Sequence, residues 1–119
     1  MRDFKKLQIW QRSHQLVLDT YKATNSFPRS EQFGLTRQIR RCAVSIPSNI
    51  AEGCGKESNS EFARYLRIAM GSASELEYQV ILSNDLEYIP SGTFKSLDDE
   101  VTQLKKMLVA YTKKVANSS

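Results

Sequence analysis

Apolar side chains recur along this chain at steps of three and four and nowhere alternate for long, the signature of amphipathic helices. Four segments carry the pattern. In the first, about residues 5–25, Leu7, Trp10, His14, Val17, Leu18 and Tyr21 share one stripe, read as its core face. Asn25-Ser26 weakens it and Phe27-Pro28 closes it, because the residue before a proline is pushed out of the helical region. Ser30 is placed to cap a second helix, with Glu31 at that helix's positive end. Leu35, Ile39, Cys42, Ala43, Ile46 and Ile50 form its buried stripe. Pro47 falls inside that run, where it removes a backbone donor and predicts a kink. Gly53-Cys54-Gly55 then stops the helix.

Ser58-Asn59-Ser60-Glu61 reads as a capping box that opens a third helix, with Phe62, Tyr65, Leu66, Ala69, Ala73, Leu76 and Val80 as its core. Gly71-Ser72-Ala73-Ser74 at its middle has little bulk. A glycine there costs roughly 1 kcal/mol of helix stability against alanine, which suggests that another helix approaches closely. After the turn signal Pro90-Ser91-Gly92, Phe94, Leu97, Val101, Leu104, Leu108, Tyr111 and Val115 repeat at strict three-four spacing, the seam of coiled-coil packing. Four helices with short connections predict an all-α, antiparallel up-down-up-down four-helix bundle. Residues 1–119 would form it as one domain, with ends 1–3 and 116–119 frayed.

Composition changes this picture little and charge changes it more. A chain of 119 residues can bury a core without metal or disulfide staples. No apolar run approaches the roughly 20 residues that cross a bilayer, and Met1-Arg2-Asp3-Phe4-Lys5-Lys6 leads into an amphipathic segment, not a signal peptide. The expectation is a cytoplasmic protein with no membrane partner. Cys42 and Cys54, if on one helix, lie roughly 18 Å apart at ~1.5 Å per residue, beyond the ~7 Å reach of a disulfide. Both read as reduced thiols, Cys42 as a small buried hydrophobe. The net charge is +4, and it is unevenly placed: residues 1–72 carry twelve Lys/Arg against six Asp/Glu, residues 73–119 five against seven. One surface is expected to meet a polyanion or another subunit's acidic face.

Catalytic patterns are missing from the sequence. His14, the only histidine, lies on the first core stripe between Trp10 and Val17/Leu18, where it reads as a packed residue rather than a base. A di-metal bundle site needs Glu-x-x-His pairs, and no such pair occurs. Neither a phosphate-cradling glycine loop nor a nucleophile elbow is found. Gly53-Cys54-Gly55-Lys56 precedes a helix start, where an anion can bind, yet a plain helix-to-helix turn accounts for it. No catalytic, cofactor or metal site is expected.

Arginines are more informative. At about 100° per residue, Arg37, Arg40 and Arg41 cover an arc of the second helix opposite the Leu35/Ile39/Cys42/Ile46 stripe, and Arg64 and Arg67 point away from the third helix's core. If those helices are neighbours, all five converge on one patch suited to bidentate phosphate contacts. Arg2, Lys5, Lys6 and Arg12 would extend it. Ser45, Ser48, Asn49 and Glu52 form a stripe around Pro47 that serves either to satisfy the carbonyl freed by the proline or to line a subunit boundary. Val44, Pro47 and Ala51 beside it, and Ile68 on the third helix, add apolar surface; with Ser48 they are the candidate oligomer interface.

Several runs carry a resemblance. They are Phe4-x-x-Leu7-x-Ile9-Trp10; Phe27-Pro28-x-x-Glu31-x-x-Gly34-Leu35; the block Gln38-Ile39-Arg40-Arg41-Cys42-Ala43-Val44-Ser45-Ile46-Pro47-Ser48-Asn49-Ile50-Ala51-Glu52-Gly53; and Glu61-Phe62, Leu66, Ala69, Gly71-Ser72 and Glu75-Leu76. From Phe4 to Val115 the chain resembles the family encoded within intervening sequences of bacterial 23S ribosomal RNA genes, also called the S23 family. The resemblance implies a left-handed four-helix bundle that assembles as a ring-like pentamer. A related branch, similar in fold, is the accessory protein of diversity-generating retroelements, which works with a reverse transcriptase through a basic surface. On that likeness Arg40 and Arg41 match, with Arg37 and Arg64 as contributors. Met70 stands where many relatives carry a basic residue, which takes one charge from the patch. The expectation is a non-enzymatic homo-oligomer that binds structured RNA, or an RNA–DNA intermediate, with RNA ahead of DNA. The alternative is a scaffold that binds an acidic protein partner, the acidic 75–100 segment of a neighbouring subunit, or a retroelement complex.

Overall fold

In the computed structural model, which describes residues 2–118, the chain forms α1 (Gln8–Thr24), α2 (Leu35–Cys54), α3 (Asn59–Asp85) and α4 (Ser91–Ala116), with 3-10 turns at Phe4–Lys6 and Arg29–Glu31. Among the described residues no strand occurs. Each helix packs on its chain neighbours, and α1 closes the ring against α4 without diagonal contacts. Cross-helix pairs show the alternating direction: Arg2 reaches Lys56, Arg40 reaches Tyr21, Ser45 meets Ser72 and Glu77 meets Lys105. The all-α up-down-up-down bundle expected from the pattern is the architecture observed. One continuous core draws on all four helices and is led by Phe62, Leu16, Ile46, Leu76, Leu104 and Leu108.

The first helix differs from the expectation in start and in phase. Asp3 accepts a hydrogen bond from the Lys5 backbone at 3.1 Å and sets a 3-10 turn. The chain then runs extended through Leu7 before α1 begins. The buried stripe of α1 is Ile9, Ser13, Leu16, Thr20 and Thr24, whereas His14, Leu18 and Tyr21 are exposed and Leu7, Trp10 and Val17 only half-buried. The cause is that the buried hydroxyls need no outside partner. Ser13 donates to the Trp10 carbonyl at 2.9 Å, Thr20 to Leu16 at 2.7 Å and Thr24 to Thr20 at 2.9 Å. Satisfied this way, they behave as small core residues.

Helix α2 starts later than Ser30 would place it. Its N-cap is Gly34, and the Glu31 carboxylate accepts from the Leu35 N–H at 3.1 Å while Tyr88 donates to its other oxygen at 2.8 Å. These two donors hold the Glu31 pKa below its ordinary value. The helix continues through Pro47, which is buried. Pro47 therefore lies under the monomer's own surface and leaves the set of candidate oligomer contacts. The nearby amide repair serves a different carbonyl from the one the proline frees: Asn49 donates to the Ser45 carbonyl at 2.8 Å.

Close approach of α2 and α3 occurs at Gly53 and at Ser72, where the Cys42 thiol reaches the Ser72 carbonyl at 3.1 Å, but not at Gly71 itself. A Cβ on Gly53 would stand 2.8 Å from Tyr65 Cβ and 2.9 Å from Phe62 Cδ1, while one on Gly71 would meet nothing within 4 Å. Ser58 accepts from the Glu61 N–H at 3.1 Å, the serine half of the expected capping box. Helix α3 ends in a Schellman turn, with Tyr88 N–H on the Ser83 carbonyl at 2.9 Å and Glu87 at φ 61° in the left-handed region. Pro90 then caps α4, so Ser91 and Gly92 belong to its first turn rather than to a loop. At the amino end Arg2, placed among the frayed residues, donates to the Lys56 carbonyl and Asn59 Oδ1 and lies over the Phe62 ring at 4.2 Å. Met1 and Ser119, which the fraying expectation also covered, lie outside the described residues.

Candidate nucleic-acid interface

The arginine arc of α2 divides on the flank where α1 packs. Arg37 and Arg41 are exposed. Arg40 is half-buried: its Nε donates to Thr24 Oγ1 at 2.8 Å, and its Nη2 to the Tyr21 carbonyl at 3.3 Å and Asn25 Oδ1 at 3.2 Å. The guanidinium also sits 4.6 Å from the centre of the Tyr21 ring. With most of its donors committed, Arg40 ties α1 to α2 and is not part of an outward face. The sequence placed it outside the α2 core stripe, which is true; it could not show that α1 covers that flank.

On α3 Arg64 and Arg67 are exposed as expected. Arg64 stacks on Tyr65 at 4.7 Å, and Lys56 Nζ approaches the same ring at 5.2 Å. The four outward arginines do not converge. Ser45 opposite Ser72 sets the register, so Arg41 lies level with Leu76, next to Glu75. At ~1.5 Å per residue, Arg64 and Arg67 are displaced roughly 14–24 Å along the bundle from Arg41 and Arg37. The result is two sites on one side of the molecule instead of a single patch.

Antiparallel packing also gathers cations that lie far apart in sequence. The half of the bundle built from residues 2–12, 48–68 and 104–116 holds eleven Lys/Arg against four Asp/Glu. The other half holds six against nine. Lys105, Lys106, Lys113 and Lys114, hidden by the acidic average of the C-terminal segment, thus join Arg2, Lys5, Lys6 and Lys56 at one end, with Arg64 and Arg67 beside them. Among the described residues the one ion pair is Lys105–Glu77 at 2.8 Å. Surface cations without carboxylate partners create the field that polyanions follow.

His14 is exposed, contrary to the core position its spacing suggested, and stacks face-on with Trp10 at 5.1 Å. Cys42 and Cys54 are both buried free thiols on α2. Burial, then Glu75 nearby, pushes the Cys42 pKa up to about 12, and burial raises that of Cys54, so neither thiolate forms near neutrality. Gly53 and Cys54 end α2, Gly55 turns, and the Lys56 carbonyl accepts from Arg2. No cluster of three or more metal-ligating side chains occurs among the described residues. An unforeseen acidic contact joins α1 and α4: Glu100 faces Asp19, with Arg12 nearby, and its pKa rises to about 7, through burial first and the Asp19 carboxyl second.

Of the candidate oligomer residues, Val44 and Ile68 are exposed at 38% and 41%, Ser48 is exposed and Ala51 half-buried. The rotation of α1 adds surface the sequence reading had buried. Leu18 and Tyr21 are 49% and 42% exposed. The register that sets Tyr21 beside Arg40 brings Leu18 level with Ala43, next to the exposed Val44 of α2. Among the described residues no helix is long and apolar enough to cross a membrane.

Fold and surface define a small antiparallel helical bundle with unpaired outward cations. The family profile described as 23S rRNA-intervening sequence protein matches residues 5–110, and the chain belongs to that family. Six solved chains match. One is a protein with unknown function from the S23 ribosomal protein family of Bacteroides thetaiotaomicron VPI-5482. It is 28% identical, with 88% of this chain and 98% of that chain covered, at a TM-score of 0.79. Among curated proteins nothing matches.

Proposed function

We propose that this chain is a non-catalytic, self-associating bundle that holds structured RNA by its phosphates, with Arg37, Arg41, Arg64 and Arg67 as contacts and the lysines of the basic end as support. The observation that carries this reading is the near absence of ion pairs among the described residues: outward guanidiniums without carboxylate partners keep their donors for phosphate. The family is named for intervening sequences of 23S rRNA, a link of gene location, and RNA is the partner to test first. Self-association would cover the Leu18/Tyr21 and Val44/Ser48/Ala51 surfaces.

The test is fluorescence anisotropy with a labelled RNA hairpin. Combined Arg37→Glu, Arg41→Glu, Arg64→Glu and Arg67→Glu should weaken binding by well over tenfold, on the order expected when several phosphate contacts are lost. A second reading, in which these cations meet the acidic half of a neighbouring subunit, draws support from the opposed charges of the two halves. Light-scattering mass separates the two. Dissociation in high salt, with no RNA bound at low salt, would assign the arginines to the subunit boundary.

A further inference from the structure

A groove of about 680 Å³ runs along the α2–α3 boundary, and Gln38, Arg41, Glu75, Tyr78 and Gln79 line it. Three features of these residues have no explanation within the monomer. Gln79 is 6% exposed, and its amide nitrogen donates to Glu75 Oε2 at 3.3 Å, yet its carbonyl oxygen Oε1 is buried without a hydrogen-bond partner. A buried, unpaired acceptor is costly, and a ligand donor would relieve it. Tyr78, the next residue along α3, is 60% exposed and presents its ring at the groove. Arg41 pairs with no carboxylate.

We infer that this groove takes a looped-out nucleotide with guanine preferred: the base stacks on Tyr78, its edge donates to Glu75 and Gln79, and its phosphate pairs with Arg41. The chemistry of each wall selects the base. Glu75 and Gln79 Oε1 are acceptors, so the edge that fits must be rich in donors. The Watson–Crick edge of guanine presents an N–H beside an amino group, whereas cytosine and adenine present a single amino group and uracil a single N–H. Turning the terminal amide to face Oε1 into the groove breaks its 3.3 Å bond to Glu75, after which both groups accept from the base. Unstacked bases are read in this way, by an aromatic face and edge hydrogen bonds, with Arg on the backbone. Glu75 would repel a phosphate at its own position, which fixes the direction: base toward α3, phosphate toward Arg41 on α2.

The inference rests on the phosphate-binding reading, and its test keeps the two apart. Anisotropy is measured with three RNA hairpins, one fully paired, one with a single bulged guanosine and one with a bulged uridine. Amide shifts on adding guanosine monophosphate alone are recorded in parallel. The bulged guanosine should raise affinity about tenfold over the paired hairpin, the size of one stacked and edge-read base. Tyr78→Ala and Gln79→Leu should each erase that gain while leaving affinity for the paired hairpin unchanged. Tyr78 is largely exposed, and leucine keeps the volume of Gln79 while removing the unpaired oxygen and one hydrogen bond to the exposed Glu75, so both variants should fold. Equal affinity for all three hairpins overturns the groove and leaves the phosphate reading standing. If no hairpin binds, shifts confined to the groove on adding the mononucleotide uphold the nucleotide site against the phosphate reading; no shifts overturn both.

Discussion

Arg40 directs its guanidinium onto Thr24, Tyr21 and Asn25 of α1, whereas Arg41, one position on, stands unpaired beside the α2–α3 groove. Truncating them should therefore separate stability from binding. Arg40→Ala loses several hydrogen bonds made by a charged donor and should cost about 1–3 kcal/mol in urea unfolding, with RNA affinity nearly unchanged. Arg41→Ala should stay within about 0.5 kcal/mol of the parent and weaken RNA binding. Glu100 supplies a second residue-level prediction. Its folded pKa, about 7, exceeds the ordinary 4.5, so its contribution is fully present in acid and is lost as pH rises between those values. At about 1.4 kcal/mol per pKa unit, discounted for partial exposure, the effect is roughly 1–2 kcal/mol. Glu100→Gln should raise thermal stability at pH 8 and flatten its dependence between pH 5 and 8. An unchanged pH profile would show that Glu100 does not hold the proton.

At the scale of elements, helix ends and crossings carry the tests. Glu87 occupies the left-handed position of the Schellman turn, which glycine fills without strain. Glu87→Gly should raise the melting midpoint by a few degrees, about 0.5–1 kcal/mol. Gly53→Ala forces a methyl against Phe62 and Tyr65 and should destabilise by about 1–3 kcal/mol. Gly71→Ala, with open space around it, should gain up to about 1 kcal/mol of helix stability. A fall in light-scattering mass for that variant would place the outer face of α3 in the subunit boundary.

These elements also show what a sequence can reveal. Helices α2, α3 and α4 were legible in kind because their cores are aliphatic and their stripes unbroken, as with Leu97, Val101, Leu104 and Leu108. The phase of α1 was not, because Ser13, Thr20 and Thr24 read as polar until their hydroxyls are seen bonded within the helix. Of the outward arginines, four were legible from angle alone. Arg40 was not, since its partners come from a neighbouring helix. The groove acceptor Gln79 gave no signal, because only burial distinguishes it from any other glutamine.

For the whole molecule, the up-down-up-down topology turns a mild charge difference between sequence halves into a dipole along the bundle, basic where both termini and the α2–α3 turn meet. Such a surface attracts phosphates over several ångströms, and contact releases counterions, so affinity must fall with salt. The most direct measurement is the slope of log affinity against log salt for an RNA hairpin, in the parent and in the combined Arg37→Ala, Arg41→Ala, Arg64→Ala, Arg67→Ala variant. Phosphate binding by these side chains predicts a steep parent slope that shrinks by about one for each arginine removed. A slope near zero, or one unchanged in the variant, would contradict it.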